Sequence, residues 1–167
     1  ADALNAKRTD IVEQAIARSC RLKADIVARD ETEQGDRALL NFGHTFGHAL
    51  EVLLEYGSLV HGEAVAIGMA LAADYSAQLG LAGQADADRL KGLLHAFGLP
   101  TQLPPGLNAA RIVEKMRLDK KALHGELRLV LWRGIGACTL HANASGDDVL
   151  RFLDQRPRPV ATISADD

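Results

Sequence analysis

The segment "LNFGHTFGHALEVLLEYGSLVHGEAVAIGM" (residues 40–69) carries three of the chain's six histidines in an otherwise aliphatic stretch. His44 and His48 are four residues apart, so on a helix their side chains share one face and lie about 5–6 Å from each other. His61 begins the next apolar run, and from there its side chain could reach the site formed by His44 and His48. Three imidazoles arranged in this way can bind a metal, transfer protons or simply lie buried.

Glycines stand beside each of these histidines, at Gly43, Gly47 and Gly62. A glycine inside a helix costs about 1 kcal/mol relative to alanine, so we expect another group to approach the backbone closely here. The H-x-x-x-H spacing alone is common by chance, and Thr45 stands where a zinc-protease motif has its glutamate. The combined pattern favours a metal or substrate site, and imidazole with carboxylate favours zinc or a similar divalent ion. Two carboxylates lie nearby in the sequence, Glu51 and Glu63. Each could ligate the ion or accept a hydrogen bond from an imidazole that does.

Helical periodicity continues on both sides of this segment. Thr9 is expected to cap a first helix, and an alternating pattern with a Gly134–Gly136 turn predicts a β-hairpin over about 126–142. The other predicted helices cover about Leu39–Tyr56, Glu63–Leu79, Asp86–Phe97 and residues 145–155, and Asn108 is expected to cap a short helix that ends at Arg117 or Leu118. The predicted fold class is therefore mainly α, a multihelical domain with one small β-hairpin and no Gly-rich phosphate loop.

Composition excludes several classes of function. Hydrophobic residues make up 47% and charged residues 25% of the chain, which is typical of a globular protein. The sequence has no basic stripe with interleaved aromatic residues, so it does not predict a nucleic-acid partner. No apolar run reaches the roughly 18 residues of a membrane span. Cys20 and Cys138 lie far apart and form no disulfide framework, so we expect a reducing, cytoplasmic setting.

The chain begins "ADALNAKRTD", without an initiator Met, and enters a helical pattern almost at once. We therefore expect it to be a piece of a longer protein. Within it, we expect a helical metal- and substrate-binding domain over residues 1–155. Residues 156–167, rich in proline and polar groups, are expected to form a flexible tail.

Further polar residues could line a site, but each also has an ordinary explanation. Lys23 lies on the apolar face of the first helix, where an amphipathic stem is usual. Arg37 and Asn41 lie one turn apart and could face one cavity with His44, or serve as loop and cap residues. The lysines at 120–121 follow a helix end, a position that already favours cations. Spacing alone does not decide between these alternatives.

Taken together, "RALLNFGHTFGHALE" (37–51), "HGEAVAIGMALAA" (61–73) and "DKK" (119–121), followed by "GELRLVL" and "IG", closely resemble the 3-dehydroquinate synthase family. The resemblance implies a C-terminal helical domain that binds most of the metal and substrate. It also implies an N-terminal α/β domain, absent from this chain, that binds NAD⁺, and a homodimer for the whole enzyme. The chain by itself is then expected to be inactive.

The resemblance also assigns residues. His44 and His61 match two of the family's three zinc ligands, and the third, a glutamate, belongs to a segment upstream of residue 1. His48 becomes a group on the substrate side, where protons move between water, phosphate and substrate. The remaining positions that match substrate-binding residues of the family are Lys23, Arg37, Asn41 and one of Lys120 and Lys121.

The activity implied is that of a carbon–oxygen lyase of the shikimate pathway. It converts 3-deoxy-D-arabino-heptulosonate 7-phosphate to 3-dehydroquinate and phosphate, with NAD⁺ and Zn²⁺ or Co²⁺ as cofactors. A related sugar-phosphate cyclase or a metal-dependent polyol dehydrogenase is the alternative within the superfamily. A helical metal-binding or interaction module without catalysis is the alternative outside it.

Overall fold

The computed structural model describes residues 1–32, 35–54, 59–118 and 126–157, and these ranges are mainly helical with one antiparallel hairpin. The fold class predicted from the sequence is thereby confirmed. Among the described residues, no helix combines the length and apolar character that crossing a bilayer requires. The elements are α1 (Asp2–Asn5), α2 (Thr9–Arg29), a 3-10 helix (Asp36–Asn41), α3 (His44–Leu53), α4 (His61–Gln78), α5 (Gln84–Ala96), α6 (Ala109–Leu118), β1 (Leu127–Gly134), β2 (Ala137–Ala144) and α7 (Gly146–Asp154).

Two predicted helix starts were wrong. The helix expected from Leu39 begins at His44, because Gly43 adopts φ +81°, a left-handed conformation that interrupts the helical backbone. The residues before it form the 3-10 helix instead. Thr9 is the first residue of α2 rather than its cap; Arg8 precedes the helix, and no side chain caps it. The predicted end at Tyr56 lies outside the described residues.

Helix α4 is the centre of the domain, and it is buried along most of its length. Its small residues let α3, α5 and β1 pack closely around it. The largest fully buried side chains come mainly from α3, α4, α6, β1 and α7, so one core joins the helices to the hairpin. They include Phe46, Leu50, Ile67, Tyr75, Ile112, Leu131 and Phe152.

Glycines set the distance between α3 and α4. A Cβ atom built on Gly68 would overlap the carbonyl oxygen of Gly43 and lie 2.9 Å from the backbone nitrogen of Gly47. A Cβ atom on Gly43 would lie 2.6 Å from the backbone nitrogen of Met69. The close approach expected from the glycine pattern is real, but the partner is the backbone of α4 rather than a ligand. Gly62 differs, since a Cβ atom there meets nothing within 4 Å.

A buried ion-pair network ties three helices together around Asp74, whose side chain is almost fully buried in α4. Its carboxylate accepts hydrogen bonds from Lys91 Nζ at 2.8 Å and from Arg156 Nη1 at 3.0 Å. The Arg156 guanidinium also lies over the Phe152 ring at 4.2 Å. Because a buried carboxylate needs such partners, the network fixes α5 and the end of α7 against α4. Arg156 is the first residue of the predicted tail, and residues 158–167 lie outside the described ranges.

Helix α2 is the least packed of the long helices. None of its residues is buried, and Ile16 and Leu22 are more than half exposed. It lies mainly against the 3-10 helix. The broad apolar face predicted for α2 is therefore only partly covered within the described structure.

The two cysteines should differ sharply in reactivity. Cys138 is half-buried in β2, and burial raises the pKa of its thiol to about 11, whereas Cys20 lies exposed on α2. The thiolate is the reactive form, so at pH 8 only about one Cys138 side chain in a thousand is ionised. We expect Ellman's reagent to modify one thiol per chain rapidly and the second only after unfolding. A rapid phase that survives Cys20→Ser would contradict this.

Candidate metal and substrate site

The first residues of α3 and α4 bring three imidazoles together. The ring centroids of His44 and His48 are 5.5 Å apart, and those of His44 and His61 are 5.6 Å apart. His48 and His61 complete the triangle at 6.1 Å. These three residues form the histidine cluster. Because the glycines hold α3 against α4, His61 is placed beside a pair that shares one face of α3.

His44 and His61 each have an acceptor beside Nδ1. His44 Nδ1 lies 3.3 Å from the Phe42 carbonyl oxygen, and His61 Nδ1 lies 3.0 Å from Glu51 Oε1. A neutral imidazole that donates from Nδ1 keeps a lone pair on Nε2, and that nitrogen can then ligate a metal. The hydrogen-bond network therefore assigns Nε2 as the nitrogen that is available to ligate a metal in both rings.

The environment of His44 favours the neutral ring. Its partial burial lowers the pKa of the imidazole, and the neighbouring His48 and His61 lower it further. The Phe42 carbonyl and the Glu51 carboxylate oppose this shift, but the net direction is downward. Since a metal binds the deprotonated nitrogen, this shift makes His44 a ligand over a wider range of pH.

The donor set suits a divalent ion. One ligand atom each from His48, Glu51 and His61 can be chosen so that all three lie within 4.8 Å of one another. Imidazole nitrogen and carboxylate oxygen are ligands that zinc and cobalt accept. The geometric group contains His48, whereas the resemblance names His44 as the partner of His61. Both histidines border the same space, so the two assignments are alternatives for one ion.

The second carboxylate considered from the sequence has a different role. Glu63 accepts a hydrogen bond from the backbone N–H of Val60 at 3.1 Å. This contact caps the first turn of α4 and fixes the segment that carries His61. Glu63 is thus a helix-cap residue, and Glu51 is the carboxylate that contacts the histidine cluster.

The other predicted substrate residues that the structure describes lie before α3, on α2 and the 3-10 helix. Lys23 is exposed on α2 and has no hydrogen-bond or ion-pair partner among the described residues. Arg37 lies in the 3-10 helix, where its guanidinium donates to the Glu31 carbonyl oxygen at 2.6 Å. Asn41 ends that helix, three residues before His44, and is half-buried. Lys120 and Lys121 lie outside the described residues.

Sequence reasoning missed a cation near the cluster. Lys115, half-buried on α6, lines a cavity of about 280 Å³ together with Thr45 and His48. Val52 and Leu118 form an apolar part of its wall. Nothing in the spacing of Lys115 points to His48, which is 67 positions earlier; only the packing of α6 on α3 brings them together.

Comparison with known proteins identifies the family. A family profile described as "3-dehydroquinate synthase C-terminal" matches residues 1–122. The chain belongs to this family. A 3-dehydroquinate synthase of Xanthomonas campestris pv. campestris (strain 8004) is 57% identical over 145 residues, which cover 84% of this chain and 39% of the relative. The 3-dehydroquinate synthase of Xylella fastidiosa (strain M12) is 56% identical over 151 residues, covering 87% and 40% respectively. The chain thus spans about two fifths of the length of these curated relatives.

Solved structures share the fold of this C-terminal domain. A 2-deoxy-scyllo-inosose synthase, complexed with carbaglucose-6-phosphate, NAD⁺ and Co²⁺, aligns with a TM-score of 0.75 at 24% identity, covering 89% of this chain and 42% of that one. The 2-epi-5-epi-valiolone synthase of Streptomyces hygroscopicus subsp. jinggangensis 5008, with NAD⁺ and Zn²⁺ bound, aligns with a TM-score of 0.70 at 24% identity, covering 84% and 38%. At this identity the likeness establishes the fold alone.

Proposed function

We propose that this chain is the metal- and substrate-binding part of a 3-dehydroquinate synthase. The whole enzyme would convert 3-deoxy-D-arabino-heptulosonate 7-phosphate to 3-dehydroquinate and phosphate. The observation that carries the proposal is the 57% identity over 145 residues to a curated enzyme of that name. The histidine cluster supports it, because it supplies donor groups of the kind such an enzyme needs.

In this proposal, His44 and His61 hold a Zn²⁺ or Co²⁺ ion, and the third ligand comes from the part of the parent enzyme upstream of Ala1. When bound, the ion would orient substrate hydroxyls and stabilise negative charge that develops on oxygen. His48 would transfer protons near the leaving phosphate. The carboxylate, hydroxyls and phosphate of the substrate would be bound by cationic side chains and one amide. These residues are Lys23, Arg37, Asn41 and one of Lys120 and Lys121.

The proposal extends to partners outside the chain. NAD⁺ would be bound mainly by an N-terminal domain, and the parent enzyme would form a homodimer. Two observations support the cofactors: the solved fold neighbours contain NAD⁺ together with Co²⁺ or Zn²⁺, and the chain spans only 39% of a curated relative. Without the upstream region, the chain would have neither the third ligand nor the cofactor site, so we expect no turnover from it.

A related sugar-phosphate cyclase is the second candidate, since the fold neighbours include a 2-deoxy-scyllo-inosose synthase and a 2-epi-5-epi-valiolone synthase. Their identity to this chain is 24%, whereas the curated 3-dehydroquinate synthases reach 57%. The difference favours the dehydroquinate activity. The alternative of a non-catalytic helical metal-binding module would describe the chain only when it is separated from the rest of the parent enzyme.

The test is phosphate release from the heptulosonate phosphate in the presence of NAD⁺ and Zn²⁺. The chain alone should release no phosphate above the blank. The same chain joined to its upstream region should release one phosphate for each 3-dehydroquinate formed. A hexose 6-phosphate, the class of sugar that the ligand of the inosose synthase resembles, is the competing substrate. Turnover by the chain alone would refute the need for an upstream ligand, and preference for the hexose phosphate would refute the assigned activity.

A further inference from the structure

We propose that Glu51 is a positioning residue for His61. Its carboxylate accepts a hydrogen bond from Nδ1–H and holds the ring so that Nε2 faces the metal. The inference rests on the metal site of the proposed function and adds the residue that orients one of its ligands. In this role Glu51 does not itself contact the ion.

The helical geometry places Glu51 for this task. His44, His48 and Glu51 occupy positions i, i+4 and i+7 of α3, and therefore form one stripe along the helix. His61 at the start of α4 faces that stripe, and its Nδ1 lies 3.0 Å from Glu51 Oε1. The glycine contacts bring the backbones of α3 and α4 together, and this close packing sets the distance between the stripe and His61.

The two side chains differ in exposure, and this difference makes Glu51 the anchor. The side chain of His61 is 60% exposed, whereas that of Glu51 is only 21% exposed. An exposed imidazole without a partner would rotate freely and populate both tautomers. A largely covered carboxylate on a packed helix removes this freedom, and it also makes the ligating nitrogen more basic. His44 has the Phe42 carbonyl oxygen in the equivalent position, so both proposed ligand rings have an acceptor behind them.

The first test reads the tautomer of His61 by nitrogen-15 NMR in the metal-free protein, at a pH where the ring is neutral. The His61 signals are assigned by their absence from His61→Ala. We expect the Nδ1–H tautomer in the wild type and in Glu51→Gln, whose amide oxygen still accepts the bond. Glu51→Ala should give a mixture rich in Nε2–H. A tautomer ratio that Glu51→Ala leaves unchanged would overturn the proposal.

The second test measures zinc affinity by competition with a chelating dye. Glu51→Ala should bind zinc about 10- to 100-fold more weakly, and Glu51→Gln should stay within a few-fold of the wild type. Glu63→Gln is the matched control, because that side chain lies near His61 in sequence and its amide oxygen can still accept the bond from the Val60 N–H that caps α4. Equal losses in Glu51→Gln and Glu51→Ala, with a Co²⁺ absorption spectrum that reports a changed coordination number, would make Glu51 a ligand and overturn the proposal. The tautomer is read without metal or turnover, so failure of the proposed function would leave that result standing.

Discussion

Replacing Gly68 with alanine is expected to destabilise the domain by more than about 3 kcal/mol, because the new methyl group would collide with backbone rather than with a movable side chain. The Cβ atom would overlap the carbonyl oxygen of Gly43 and lie 3.0 Å from its carbonyl carbon. Relief would require α3 to move away from α4, which would also separate His44 and His48 from His61. Urea unfolding followed by circular dichroism measures the loss, and NMR of the imidazoles reports the separation.

Gly92→Ala is the matched control for this prediction. Gly92 is also inside a helix, but it is exposed on α5, and a Cβ atom there meets nothing within 4 Å. Since alanine has the better helix propensity, this variant should gain about 0.5–1 kcal/mol. If Gly68→Ala unfolds within about 1 kcal/mol of the wild type, the glycine contact does not set the distance between the helices.

Local spacing predicted the parts of the site that depend on one helix. The four-residue separation of His44 and His48 placed both rings on one face, and their centroids lie 5.5 Å apart. It could not place the start of α3, because the apolar residues before Gly43 continue a helical pattern. The interruption comes from a positive φ that brings Gly43 against α4, a contact between residues 25 positions apart. The glycine beside a histidine was a correct signal of close approach, but its partner was visible only in the fold.

Contacts between residues far apart in the chain could not be predicted from the sequence. The bond between Asp74 and Arg156 joins residues 82 positions apart, and nothing in either local pattern indicates it. The same holds for Lys115 and its cavity beside His48. The contact between Glu51 and His61 was predicted only in part. The sequence marked both residues as candidates for the site, but their contact depends on how α4 packs against α3. Helical patterns therefore predicted the elements, and tertiary packing decided which polar groups meet.

Removing either proposed ligand should weaken zinc binding by more than about a hundredfold, beyond the 10- to 100-fold loss typical of a missing supporting hydrogen bond. We expect this from His44→Ala and from His61→Ala, because each ring would supply a direct metal–nitrogen bond. His48→Ala should stay within a few-fold of the wild type if its role is on the substrate side. Dye competition with the purified chain measures all three affinities, and His141→Ala, a half-buried histidine on β2, is the control.

The comparison of His44 with His48 decides between two arrangements of the same donor groups. The resemblance pairs His44 with His61, whereas His48, Glu51 and His61 have ligand atoms within 4.8 Å of one another. The lowered pKa of His44 favours the first arrangement, because a neutral ring whose Nδ1 lies beside the Phe42 carbonyl oxygen keeps Nε2 available for a metal. If His48→Ala abolishes zinc binding while His44→Ala retains it, the ion lies one turn further along α3. Glu51 would then be a ligand, and His44 would be the histidine on the substrate side.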